Sequence, residues 1–171
     1  MKKLVIGSGP GWKEAKQRYA DQGIEAISID IIKEFEPDIV TNIENGLPIN
    51  KRNGAYPKGL YGEKFDEVEI HHVLEHIETN KGFKQIMTDI HSLLNEGGTV
   101  DICVPHYQCP SAVECYEHVR FFSENSFMNF YDNPYAKEMG LPMFERVINE
   151  VRLHGTGSKE VHVILKKPLC V

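Results

Sequence analysis

The chain has 171 residues, 41% of them hydrophobic and 26% charged, with 19 Lys and Arg against 25 Asp and Glu for a net charge of −6. That length suits one domain over residues 1–171, and an acidic balance with no Lys/Arg run longer than a pair gives little attraction for a phosphate backbone. No segment approaches the roughly 20 consecutive apolar residues of a membrane span, and Met1 to Ile6 enters a strand pattern without a secretory h-region, so the expectation is a cytoplasmic protein that binds neither nucleic acid nor membrane.

Lys3 to Ile6 is a short apolar run that breaks into Gly7-Ser8-Gly9-Pro10-Gly11, and Trp12 to Asp21 follows with the composition of an amphipathic helix. Gly23 ends that helix. Glu25 to Ile29 reads as a second strand closed by Asp30, and Asp38 to Thr41 as a third. Residues 31–37 between them are too few for a parallel crossover with a full helix, which usually takes about a dozen or more. Pro48, Pro57 and the glycines between Glu44 and Glu63 mark a long loop. A fourth strand is predicted over Phe65 to Ile70, then a helix over Lys81 to Leu94 with Phe83, Ile86, Met87, Ile90, Leu93 and Leu94 on one face, ended by a glycine cap in Asn95-Glu96-Gly97-Gly98. Thr99 to Val104 is a fifth strand stopped by Pro105.

After an irregular stretch to Tyr135, with a short helix expected near Ser123, two strand patterns close the chain. These are Phe144 to Leu153 and Val161 to Leu165, joined by a hairpin turn at Gly155-Thr156-Gly157-Ser158. The expected fold is α/β, with a mostly parallel sheet and an antiparallel C-terminal strand. The four cysteines, Cys103, Cys109, Cys115 and Cys170, form no CxxC pair and are expected to be reduced.

In an open parallel sheet the first βα turn is where backbone comes closest to a ligand, and Gly7 and Gly9 carry no side chain to block it. An acid ending the second strand, Asp30, is placed to accept hydrogen bonds from ribose hydroxyls, so the pair predicts an adenosine-type cofactor. Trp12 stands where the dinucleotide fingerprint has its third glycine, and no Gly-Lys-Ser/Thr follows the loop; a cofactor without phosphates fits better than a pyrophosphate.

Val5-Ile6-Gly7-Ser8-Gly9-Pro10-Gly11, Asp30 and the block from Phe65 through His71-His72-Val73-Leu74-Glu75-His76-Ile77 resemble the class I S-adenosylmethionine-dependent methyltransferases, in particular the small methyltransferase-11-like branch. Leu93 to Gly98, Val104-Pro105 and His118-Val119-Arg120-Phe121-Phe122-Ser123 extend the resemblance over most of the chain. It implies a Rossmann-like class I methyltransferase fold in compact form, the helix between strands two and three missing. S-Adenosyl-L-methionine is the implied cofactor, with Gly7, Ser8 and Gly9 under its methionine and ribose part and Asp30 on the ribose hydroxyls. Ile31, Asn42 and Ile43 are implied around the adenine and His71 near the methionine. Val5 departs from the acid that family members often carry two positions before the first glycine.

The implied reaction is methyl transfer to a small-molecule or sugar acceptor, an in-line displacement that positioning accelerates. Should the acceptor need deprotonation, His71, His106 and His118 are the candidate bases, and Arg120 is a candidate to hold an anionic acceptor group. Phe121, Phe122, Phe127, Phe130 and Tyr131 form either an acceptor pocket or a small core of their own. Other readings are a non-catalytic S-adenosylmethionine- or S-adenosylhomocysteine-binding protein and an NAD-dependent oxidoreductase. A zinc peptidase is a third, since His72-Val73-Leu74-Glu75-His76 matches H-x-x-E-H and Glu150 is an imaginable further ligand. His106, Cys109, Cys115 and His118, a symmetric H-x2-C-x5-C-x2-H arrangement, also have ligand types that suit tetrahedral zinc, although the loop is unusual for a zinc finger and buried thiols explain them without a metal. With a helix missing, part of one sheet face is left for the loop from Glu44 to Glu63 or for a second copy in a homodimer to cover.

Overall fold

The computed structural model describes residues 1–49, 59–153 and 158–170. Seven strands, β1 (Lys2–Ile6), β2 (Glu25–Asp30), β3 (Ile39–Val40), β4 (Phe65–His71), β5 (Leu94–Pro105), β6 (Glu145–Leu153) and β7 (Lys159–Lys166), form one sheet in the order β3-β2-β1-β4-β5-β7-β6. The β3-β2-β1-β4-β5 ladder is parallel throughout, while β7 runs antiparallel to both β5 and β6. This antiparallel strand between β5 and β6 departs from the dinucleotide-binding order, in which the last strands continue in parallel. The NAD-dependent oxidoreductase reading is set aside on topology.

Helix α1 (Trp12–Asp21) follows β1, as the sequence predicts, and covers one sheet face. Trp12, 2% exposed, packs on Val5 and Ala26 with Ala15 and Tyr19 beside it. The indole spaces helix from sheet where a glycine would have let them close up. Helix α2 (Asn80–Leu93) lies on the opposite face, where Ile86, Met87, Ile90 and Leu93 join Leu4, Ile6, Val68, Ile70, Val100 and Ile102 in the main core. Thr79 caps α2, its hydroxyl accepting the Gly82 N–H at 2.9 Å.

Between β2 and β3 there is a single 3-10 turn, Lys33–Phe35, so the missing crossover helix is observed. The glycine cap expected after α2 is corrected. The helix ends one residue early, Leu94 is already extended, and Asn95 to Gly98 belong to β5. Gly97, at φ +77, falls where β5 carries extra residues between the Phe65–Leu94 and Glu67–Thr99 pairings. Its left-handed backbone serves a bulge. The helix expected near Ser123 is likewise a 3-10 turn, Met128–Phe130, and a short helix α3 (Pro110–Glu114) forms upstream of it.

The described flanks of the Glu44–Glu63 loop, Leu47 and Leu60, are buried in the main core, and Asp89 of α2 accepts the Leu47 N–H at 2.7 Å. The loop therefore covers part of the α2 face; its centre, and the hairpin turn before Ser158, lie outside the described residues. All four cysteines are free. Among the described residues no helix is long and apolar enough to cross a membrane.

Candidate functional site

The carboxyl ends of β1, β2 and β4 meet where the chain leaves β1 through Gly7-Ser8-Gly9. Gly7 has φ +75 and Gly9 φ +65, and a Cβ on Gly7 would stand 2.2 Å from the Val73 Cγ2. Only glycine fits there. Around Gly9 nothing lies within 4 Å of where a Cβ would be, so the loop presents bare backbone to open space. Asp30, 8% exposed, fixes the loop from the end of β2: Oδ2 accepts the Gly9 N–H at 3.0 Å and Oδ1 the Ile32 N–H at 2.9 Å. Each carboxylate oxygen keeps a further lone pair. Ser8 Oγ is buried without a hydrogen-bond partner.

Ile31, immediately after Asp30, is 60% exposed, an apolar side chain offered to the surface beside the loop. Asn42 caps its own turn, Oδ1 accepting the Glu44 N–H at 2.8 Å, and Ile43 is buried in the main core. Val5, two positions before Gly7, is 6% exposed and packed against Trp12.

The three candidate histidines fare differently. His71 lies on the α1 face of the sheet, its Nε2 3.0 Å from Asp101 Oδ1 and its Nδ1 3.8 Å from Glu69 Oε1. Asp101 also meets His162 Nε2 at 2.9 Å. Burial pushes the Asp101 carboxyl up, but the hydrogen bonds and electrostatic attraction from His71 and His162 outweigh it and hold it below the usual carboxylate range. His106 is buried; its Nδ1 accepts the Gln108 N–H at 3.2 Å, so Nε2 carries the proton directed at Glu124 Oε2, 3.4 Å away. Both nitrogens are thus engaged. His118 stacks edge-on against His76, ring centroids 4.8 Å apart.

Arg120 donates to the Ile77 carbonyl, to Asn80 Oδ1 at 3.0 Å and to the Glu78 carbonyl at 3.4 Å, with its guanidinium 5.1 Å from the centre of the Phe83 ring. It fastens the loop after β5 to the start of α2. Phe122 stacks on Phe127 at 5.5 Å, and Phe83 of α2 touches Phe122, Phe127 and Phe130, so these three rings form a core. Phe121 stays 57% exposed and, with Tyr107, Phe122, Ser123, Glu124 and Asn125, lines an open depression of about 400 Å³.

The peptidase geometry is not formed. Leu74–His76 is a 3-10 turn, and His72, at φ 53, stands outside it, so the two histidines do not share a helix face. Glu150 lies on β6 against Arg152 and His162. Nor do His106, Cys109, Cys115 and His118 converge as one of the metal-capable groups among the described residues. Cys109 Sγ pairs with Ser111 Oγ at 3.1 Å, and His118 groups with Glu75 and His76. The sequence reading missed this last group and the Asp101 pairing of His71, because both join residues about 30 or more positions apart.

No protein-family model and no curated protein sequence matches the chain. Solved structures do. The N-methyltransferase NodS from Bradyrhizobium japonicum WM9, crystallised with S-adenosyl-L-homocysteine, superposes with a TM-score of 0.65 at 13% identity over 98% of this chain and 78% of NodS. A SAM-dependent methyltransferase from Methanosarcina mazei gives 0.66 at 15% identity over 99% and 93% of the two chains, and the cyclase SpnF gives 0.66 at 12% identity over 99% and 75%. With this strand order, the glycine turn at the end of β1 and these neighbours, the chain has the fold of the class I S-adenosylmethionine-dependent methyltransferases.

Proposed function

We propose that the protein binds S-adenosyl-L-methionine and transfers its methyl group to a small-molecule or sugar acceptor. The observation that carries this reading is the cradle made by Gly7, Ser8, Gly9 and Asp30. Open space lies over Gly9, a hydroxyl without a partner sits at Ser8, and the Asp30 carboxylate, already oriented by two backbone N–H groups, keeps free lone pairs. A diol and an amino-acid moiety match that donor and acceptor set, whereas a pyrophosphate would meet the Asp30 charge and no basic side chain of this loop. Exposed Ile31 supports an apolar contact with the adenine, and this reading puts Asn42 and Ile43, just after β3, near its amino edge.

When bound, the sulfonium supplies an activated methyl group; the chain's task is to hold the acceptor in line with it and keep competing water away. The depression lined by Tyr107 and Phe121 supports an acceptor site on the loop after β5. Among the candidate bases His71 fits best: Asp101 holds Nε2–H, which leaves Nδ1 as the proton acceptor on a side chain that is 37% exposed. Arg120 keeps donor capacity toward an anionic acceptor beyond its loop-fastening bonds, and the acidic chain favours small acceptors over nucleic acid. Binding without turnover is the second reading, favoured by Val5, an apolar side chain packed on Trp12 at the position where members of the resembled family often carry an acid.

Titration calorimetry with S-adenosylmethionine, S-adenosylhomocysteine and NAD tests the cofactor. Saturable binding of the first two and none of NAD is expected; NAD binding, or no binding at all, overturns the reading. Release of S-adenosylhomocysteine on an acceptor panel then separates turnover from binding alone.

A further inference from the structure

We propose that Glu75, His76 and His118 form a binding site for a divalent first-row transition-metal ion of the zinc type. Glu75 and His76 belong to the 3-10 turn after β4 and His118 to the loop after β5, and one ligand atom from each lies within 4.8 Å of the other two. The carboxylate of Glu75 carries the argument further than proximity does. Glu75 is 1% exposed, and neither of its oxygens has a hydrogen-bond partner; among the described residues its one nearby charge partner is His72, whose Nδ1 lies in ion-pair range of Oε1 at 3.5 Å. An ionised carboxylate is expensive to bury, His72 faces only Oε1 and from 3.5 Å, and a cation between the carboxylate and the imidazoles of His76 and His118 supplies what is missing.

The histidines are prepared for the same role. His76 Nδ1 lies 3.2 Å from the Glu117 carbonyl oxygen, which can only accept, so Nδ1 bears the proton and Nε2 offers its lone pair. A ring N–H donated to a backbone carbonyl is the usual way a metal-binding histidine is oriented. His118 Nδ1 is buried and has no partner. The scaffold is in place before any ion arrives, because the Val119 and Arg120 N–H groups donate to the Glu75 main-chain carbonyl at 2.9 and 3.1 Å. Two imidazoles and one carboxylate suit Zn²⁺ and its neighbours, with ligand bonds of about 2.0–2.2 Å, and leave a coordination position open; all-oxygen ions such as Mg²⁺ are poorly matched. Bound there, the ion clamps the loop that carries Arg120 and Phe121 to the end of β4. This inference does not rest on the methyl-transfer reading.

The test titrates the chelator-stripped full chain with zinc chloride by calorimetry and follows the thermal midpoint. Expected are one ion per chain, a raised midpoint, no comparable effect of magnesium chloride, and affinity at least about 100-fold weaker in His118→Ala and Glu75→Gln. Cys103→Ala, which dismantles the neighbouring His72–Cys103–Glu160 group, retains the ion. Circular dichroism establishes that each variant is folded, and should Glu75→Gln fail, His118→Ala on its half-buried loop still decides. No stoichiometric zinc in the wild type, undiminished affinity in His118→Ala, or loss of the ion in Cys103→Ala overturns the proposal. Zinc uptake without S-adenosylmethionine binding would sink the functional reading alone, and the reverse result this one alone.

Discussion

Asp30 has two tasks that a sequence pattern does not separate. It accepts the Gly9 and Ile32 N–H groups, and so shapes the very loop it is proposed to serve. Asp30→Ala is therefore expected to weaken S-adenosylmethionine binding at least about tenfold, the loss of one charge-assisted hydrogen bond or more, as read by calorimetry. At Gly7 alanine would hold a positive φ and drive its Cβ into Val73, so Gly7→Ala should lower unfolding free energy by about 1–2 kcal/mol or more in urea titration. His91 provides the pH dependence. Burial first, with Lys167 and Lys64 adding to it, lowers its pKa below the ordinary 6.5, while its ring packs edge-on against Phe144 at 4.9 Å. Below about pH 6.5 the unfolded chain binds the proton more readily than the folded one, so this contribution is complete above that pH and is lost as pH falls through the lower folded value. Urea midpoints measured from pH 7.5 to about pH 5 should fall less steeply in His91→Leu than in the wild type.

At the level of elements, the strands explain themselves once each face is assigned. Val68 and Ile70 of β4 point into the α2 core, whereas Glu67, Glu69 and His71 alternate onto the α1 face, which α1 covers only over β1 and β2. There Lys3 bonds Glu67 at 2.7 Å and Glu69 at 2.6 Å, and Tyr19 reaches Glu69 at 3.3 Å. Burial alone would lower the Lys3 ammonium, but the two carboxylates outweigh it and hold it above the usual lysine range. Helix α2 depends on its cap, since Thr79 Oγ1 is both acceptor for Gly82 and donor to Glu44. Thr79→Ala is expected to destabilise the protein by about 1 kcal/mol in urea titration, with α2 otherwise intact by circular dichroism.

Across the whole molecule, the proposed ligand and the fold should be thermodynamically linked. At a concentration about 100 times its Kd, S-adenosylhomocysteine should add about 2.7 kcal/mol to unfolding and raise the thermal midpoint, an increment lost in Asp30→Ala. An unchanged midpoint in the wild type would contradict the proposed cradle. Much of the architecture was legible in local pattern. The apolar run into Gly7, the helix from Trp12 to Asp21, Asp30 at the end of β2 and the short span to β3 are statements about neighbours along the chain, where periodicity and glycine chemistry act directly. What the tertiary structure decided lies between distant segments. Gly97 became a bulge because pairing with β4 outcompeted a helix cap, Phe122 and Phe127 became core because α2 supplied Phe83, and Arg120 became a fastener because Ile77 and Asn80 came within reach. The histidines were separated in the same way: His71 gained Asp101, His106 was closed by Gln108 and Glu124, and His118 was brought to Glu75 and His76. Residue type and spacing determine which side chains can do chemistry, but burial and the partners across the sheet determine which nitrogen or oxygen is left with a lone pair to do it.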